Sequence, residues 1–244
     1  MSDIYTTMTF KEFILKEASL RQILKPVPQN PHHHAEGDVF THSRMVRSRL
    51  PHAVEFLRSQ SQNPDSPLSN LDPRITPSEE RILKMAAWLH DIGKASVTKW
   101  NPEKEKLTSH GHERPDSYMP QIERLSGPIR SIYDSLSGFE RDVLHFVIDN
   151  HMSLQPGSGF PRRLLPELFG DDGKVRNEIK PKLLVIFILM DRTGRLRGED
   201  FKPSMGFRDK QSASLANAGA ELGDTIKHIK TSAEKHAEIK RRRS

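Results

Sequence analysis

The stretch TPSEERILKMAAWLHDIGK, residues 76–94, decides how this chain reads. Thr76-Pro77 followed by Glu79 and Glu80 is a helix start. Proline is tolerated where the amide has no intrahelical partner, and the acidic side chains oppose the positive helix end. Residues 82–89 then form an apolar-faced helix, which ends on His90-Asp91-Ile92-Gly93-Lys94. A mostly apolar helix that abruptly carries two titratable residues must supply partners for them, because burying a polar group without one costs about 2–7 kcal/mol. Neutral imidazole nitrogen and carboxylate oxygen together suit a hard or borderline divalent cation. Neighbours inside a helix point about 100° apart, so convergence is expected only at a helix end, where backbone freedom before Gly93 lets both aim at one centre.

Working outward, Phe10–Leu24 carries Phe10, Phe13, Ile14, Leu20 and Ile23 at helical spacing, and Pro26, Pro28 and Pro31 close that helix. Asp38 is placed to cap a second helix running to about Phe56 or Leu57, which Pro51 kinks or splits. Residues 59–77, rich in Ser, Asn, Asp and Pro, read as an exposed loop insertion. Helical patterns return at residues 118–125, 139–152 and 180–191, the last built on the apolar run 183–190. Residues 108–114 read as a loop, 155–161 as a Pro/Gly-rich separator, and 212–243 as a long exposed helix or frayed tail. Alternating strand patterns are nearly absent and no internal repeat is evident. The expected fold class is all-α, a helical bundle.

Composition bounds the function classes. The 244 residues are 34% hydrophobic, enough for a genuine core, and the mean hydropathy of −0.65, with no apolar run near the ~18 residues of a membrane span, gives no membrane partner. With 0 cysteines there is no disulfide, thiolate zinc site or cysteine nucleophile. Nothing at the N-terminus reads as a secretory signal, and a cytoplasmic protein is expected. Much of the net charge of +6 sits in Lys240-Arg241-Arg242-Arg243, a basic tail that offers a nucleic-acid contact or is simply solvated. Gly170-Asp171-Asp172-Gly173-Lys174 lacks the phosphate-loop spacing.

Further metal-ligating types stand at suggestive places. Asp191 follows the most apolar run of the chain. It reads either as a helix-end aspartate paired with Arg192 or Arg195 or, beside His90-Asp91, as one acidic ligand delivered by a core helix. His42 lies about one turn inside its helix on the face of Met45 and Val46 and should point inward, as a carbonyl-bonded core histidine or a ligand. His112 and His151 complete the candidates, with His110 an alternative to His112. His145 lies on another face of its helix, and His32, His33, His52, His228 and His236 are assigned to solvent.

His42, His90-Asp91 and Asp191, in that order on separate helices, resemble the H…HD…D signature of the HD-domain metal-dependent phosphohydrolases. The similarity is greater to the HD domain attached to bacterial CCA-adding tRNA nucleotidyltransferases. His34-Ala35-Glu36-Gly37-Asp38-Val39-Phe40-Thr41-His42 is similar to its HPEGDVxxH, with Ala35 at the usual proline. Leu89-His90-Asp91-Ile92-Gly93-Lys94-Ala95 matches LHDxGKA, Gly111-His112-Glu113 matches GHE, Asn150-His151 matches NH, and Asp191 to Arg195 matches DxxGR. The matches span residues 34–195, about two-thirds of the chain. No nucleotidyltransferase catalytic domain accompanies them, and related HD modules also occur with polynucleotide kinases in RNA-end repair.

The resemblance implies an HD-domain bundle over residues 32–205, preceded by a helix and linker at 1–31 and followed by a helix and basic tail at 206–244. It implies that His42, His90, Asp91 and Asp191 ligate one divalent ion (Mn, Ni, Co, Fe or Mg) and that Asp91 bridges to a second held by His112 and His151. Met152 stands where two-metal members often have another histidine. Lys94 and Arg195 become phosphate-binding and, with Asp91, catalytic residues; His34 joins the substrate-binding set, and Asp38 orients a ligand or the helix it caps. The implied activity is hydrolysis of phosphoesters of nucleotides or RNA ends, 2′,3′-cyclic or 2′-phosphates first, without a covalent intermediate. The alternatives are a nucleoside 5′-phosphate or (deoxy)nucleoside triphosphate hydrolase and a non-catalytic RNA-binding module.

Overall fold

A computed structural model describes residues 10–31, 34–64, 72–152, 179–196 and 242. The expectations for residues 155–161 and for the C-terminal region, Arg242 apart, lie outside them, as does the middle of the 59–77 loop. The described chain is mostly helical, in keeping with an all-α class: α1 (Phe10–Leu24), α2 (Val39–Ser48), α3 (Leu50–Ser61), α4 (Pro77–Leu89), the short α5 (Lys94–Val97), α6 (Pro115–Glu123), α7 (Gly127–Asp134), α8 (Gly138–Asn150) and α9 (Ile179–Thr193).

Local chemistry accounts for the boundaries. Asp38 caps α2, accepting from the Thr41 amide at 2.9 Å. The pattern past it is split in two: Arg49 ends α2, and Pro51 sits in the first turn of α3, where its missing amide costs nothing. α3 runs on to Ser61, so the first residues of the expected loop are helical. Thr76 and Glu79 form a reciprocal capping box on α4, and Ser137 and Glu140 form another on α8.

Two elements escape the pattern reading. A two-stranded antiparallel hairpin, β1 (Lys99–Asn101) and β2 (Lys106–Thr108), pairs Trp100 with Leu107; three residues per strand are too few to show an alternation. The second, α7, is an 8-residue helix that buries only Ile129 and Tyr133, too brief a periodicity to register.

α9 forms the centre. Residues 183–190 are buried on every side, as an all-round apolar helix must be. It packs against α2, α3, α4 and α8, while α1 packs on α7 and places Leu20 and Leu24 in the same core. The three core helices α4, α8 and α9 run the same way. At their N-terminal ends Lys182 of α9 lies 2.5 Å from Glu79 of α4, and Ser78 of α4 donates to Glu140 of α8 at 2.7 Å. Their C-terminal ends therefore gather at the opposite pole. No helix among the described residues is long and apolar enough to cross a membrane.

Candidate metal centre

At that pole His90 is the C-cap of α4, His151 the C-cap of α8, and Asp191 sits in the last turn of α9. Helix C-termini carry about half a negative charge each, so three ends and two carboxylates meet in one small volume and favour a cation there. α2 supplies His42, fully buried, and the segment after the hairpin supplies His112.

The side chains form two adjoining groups, His42, His90 and Asp191 in one and Asp91, His112 and His151 in the other, each compact enough to hold a metal ion. In the first, His42 Nε2 is 3.0 Å from Asp191 Oδ1 and 3.3 Å from His90 Nε2. In the second, His112 Nε2 is 3.0 Å from Asp91 Oδ1 and 3.2 Å from His151 Nε2. Asp91 joins the groups. Its Oδ2 lies 3.3 Å from His90 and 3.7 Å from His42, whereas its Oδ1 faces His112 and, at 3.9 Å, His151.

The far side of each ring fixes its orientation. The Nδ1 atoms of His112 and His151 donate to the carbonyls of Ser109 (2.8 Å) and Ile148 (2.7 Å), and that of His90 to Ala87 at 3.3 Å. His42 Nδ1 lies 2.9 Å from Glu36 Oε1. With these nitrogens carrying their protons outward, the Nε2 atoms face one another and the carboxylates inward. Pairs of imidazole lone pairs at hydrogen-bond distance need a proton or a cation between them, and a carbonyl or carboxylate behind each ring is how metal-binding histidines are held. The donor set therefore fits one or two divalent ions.

Electrostatics keeps both carboxylates ionised and the His151 ring neutral. Burial works to raise Asp91, but Lys94, His90 and His112 outweigh it and hold its carboxyl well below the usual range. The same contest at Asp191, won by Arg195, His42 and His90, has the same result. Burial pushes His151 down to about 3, aided by its histidine neighbours, so the ring is neutral. Burial also opposes charge on His42, yet the hydrogen bonds its ring nitrogens make to the Asp191 and Glu36 carboxylates raise it. Lys94 Nζ is 2.7 Å from Asp91 Oδ2 and 2.7 Å from Gln29 Oε1, and Arg195 pairs with Asp191.

Two glycines permit the approach. A Cβ on Gly93 would overlap the carbonyl of His112, and one on Gly194 would lie 2.6 Å from Val46 Cα on the helix of His42. The expected role of Gly93 is thereby corrected. His90 (φ −55°) and Gly93 (φ −63°) are ordinary helical backbone, and what the site needs is the missing side chain, not freedom of the chain.

Of the residues singled out from sequence, His42, His90, Asp91, His112, His151 and Asp191 come together. Lys94 and Arg195 lie on the two carboxylates. His34 lines the cleft over the second group, its Nδ1 2.8 Å from Glu36, and burial pushes it down to about 4. His110 also lines that cleft without joining either group, and His145 bonds Tyr133 at 2.9 Å. Asp38 serves α2 as its cap and pairs with Lys25 at 2.6 Å. Sequence reasoning gave no role to Glu36, whose buried carboxylate holds both His34 and His42 and accepts from the Leu196 amide. Burial would raise it, and those hydrogen bonds keep it below its ordinary value. Its place two residues after His34 and six before His42 was the available signal. Gln29 carried none. No protein-family model, curated protein or solved structure matches the chain.

Proposed function

We propose that this chain is an HD-type metal-dependent phosphohydrolase that cleaves phosphoester bonds of nucleotides or nucleic-acid ends, with 2′,3′-cyclic and 2′-phosphates as its first substrates. The observation that carries the reading is Asp91, whose two oxygens face separate histidine pairs. That is the disposition of a carboxylate shared by two ions, and two-ion sites serve in-line displacement at phosphorus. The nitrogen and oxygen donors without thiolate favour Mn, Ni, Co, Fe or Mg over a structural zinc site. A divalent cation supplies charge neutralisation on phosphoryl oxygens and a lowered pKa for water.

The remaining roles belong to the chain. Lys94 and Arg195 keep the ligand carboxylates ionised and set positive charge beside the position of a phosphate, where it strengthens as charge builds on the phosphoryl oxygens. His34, neutral at pH 7, lines the cleft with Nδ1 engaged by Glu36 and joins the substrate-binding set.

The test is a panel of 2′-, 3′-, 2′,3′-cyclic and 5′-nucleotides and nucleoside triphosphates, offered to protein loaded with each metal in turn. Turnover of the cyclic or 2′-esters is expected, with Lys94→Ala and Arg195→Ala both slower. Turnover of triphosphates alone would move the assignment to nucleotide hydrolysis. Absence of activity and of metal uptake would end it.

A further inference from the structure

The cleft that leads to the second ligand group has a wall that the metal chemistry does not use. It encloses about 380 Å³ and is lined by Gln29, His34, Lys94 and His112 together with Lys104 and Lys106 of the β1–β2 hairpin. That volume is at the small end for ligand pockets, room for about one nucleotide.

The two hairpin lysines that line the cleft differ from most lysines around them. Lys25, Lys84, Lys94, Lys180 and Lys182 each sit on a carboxylate. Lys104 and Lys106 are exposed, line the cleft, and have no ion-pair partner among the described residues. The acidic neighbours Glu103 and Glu105 do not line it, and the carboxylate that does, Glu113, lies 3.5 Å from His112 Nδ1. Glu105, between the lysines, is the one described non-glycine residue with positive φ (+45°), a conformation that costs a non-glycine residue about 1–2 kcal/mol and that persists only where the surroundings impose it. Gln29, 6% exposed, accepts from Lys94 Nζ at 2.7 Å and so fixes that cation in the cleft wall.

We infer that Lys104 and Lys106, lining the same cleft as Lys94, form a second phosphate subsite, which takes a phosphate attached to the same nucleotide as the scissile ester. The inference rests on the phosphohydrolase reading for the identity of the first phosphate and adds a substrate class: nucleotides bearing a second phosphate, as in an oligonucleotide end or a nucleoside polyphosphate.

The experiment compares kcat/KM of Mn-loaded protein on a nucleoside 2′,3′-cyclic phosphate, on a dinucleotide ending in the same cyclic phosphate, and on a nucleoside diphosphate. The preference for a doubly phosphorylated substrate over the single one should fall about five- to tenfold in Lys104→Ala/Lys106→Ala, chiefly through KM, since two exposed charge contacts contribute at that level. Lys99→Ala, which removes a hairpin charge that does not line the cleft, should leave the preference intact. Loss confined to the dinucleotide identifies an oligonucleotide end; loss confined to the diphosphate identifies a free nucleotide. A preference untouched by the double variant, or equal loss on all three substrates, overturns the subsite while leaving the hydrolase reading in place. Quenching of the exposed Trp100 on the hairpin by the dinucleotide, measured without turnover, supplies a binding readout. Lysine-dependent quenching in a protein that hydrolyses nothing would keep the subsite and remove the hydrolase.

Discussion

The three core helices end in two polar clusters of opposite character. At the N-terminal pole the buried charges among the described residues are paired: Lys182 bonds Glu79 and the Arg74 carbonyl, and Glu140 takes Ser78, Arg81 and the Ser137 amide. At the C-terminal pole four imidazoles turn nitrogens toward one another around two carboxylates. The same helices, α4 and α8, each 13 residues long and each opened by a capping box, close on a histidine at the other end. Helix direction explains the division of labour: carboxylates at N-termini are satisfied by the free amides and the dipole, whereas C-termini gather negative potential that only cations relieve. One pole is complete as folded, and the other is arranged for a charge from outside.

The sharpest way to break this comparison is Asp91→Ala, with Asp91→Asn as the variant that keeps the shape. Wild-type protein at a hundredfold excess of Mn over its Kd should gain about 2.7 kcal/mol of stability, read as a rise in Tm. Both variants should lose that gain and all phosphoester turnover. Unchanged metal stabilisation would show that the C-terminal pole is self-satisfied like the other.

Glu79→Ala is the complementary cut. Removing one partner of the buried Glu79–Lys182 pair should cost about 3–5 kcal/mol in urea unfolding, while metal stoichiometry stays as in the wild type. Gly93→Ala should cost less, about 1–3 kcal/mol for a methyl forced against the His112 carbonyl. Elemental analysis should show selective loss of the ion held by Asp91, His112 and His151, and retention of both ions would refute the close-approach argument.

The smallest effect is the acid response of the N-terminal pole. Hydrogen bonds from Ser78 and Arg81 pull the Glu140 carboxyl down to about 2 from 4.5. Its contribution is therefore present above about pH 4.5 and disappears as pH falls toward 2. Glu140→Gln should lower Tm at pH 7 and match the wild type near pH 2; a difference that persists there would assign the loss to packing.

Much of this was legible in the chain. The Thr76 start, the Asp38 cap, the central helix over residues 183–190 and, among the candidate ligands, His42, His90, Asp91 and Asp191 announce themselves through local rules: a cap type, a period, or a titratable group beside apolar sequence; His112 and His151 took their expected role from the resemblance. Pro51 marked a break whose outcome, two helices, needed the packing of α3 on α9 to decide. The hairpin and α7 were too short for any period to rise above composition, and Gln29 and Glu36 act through partners far from helical spacing.

By itself, then, the sequence determined the helical class, the ends of the long helices and the core of the candidate ligand set, because caps, periodicity and desolvation act over a few neighbouring residues. Only the tertiary structure decided that Asp91 faces two histidine pairs, that Gly93 and Gly194 matter as gaps, that Glu36 orients His42, and that Lys104 and Lys106 line one cleft with Lys94. Those facts depend on where separate helix ends meet, and that is set by the packing of α4, α8 and α2 around α9, not by any stretch of chain read alone.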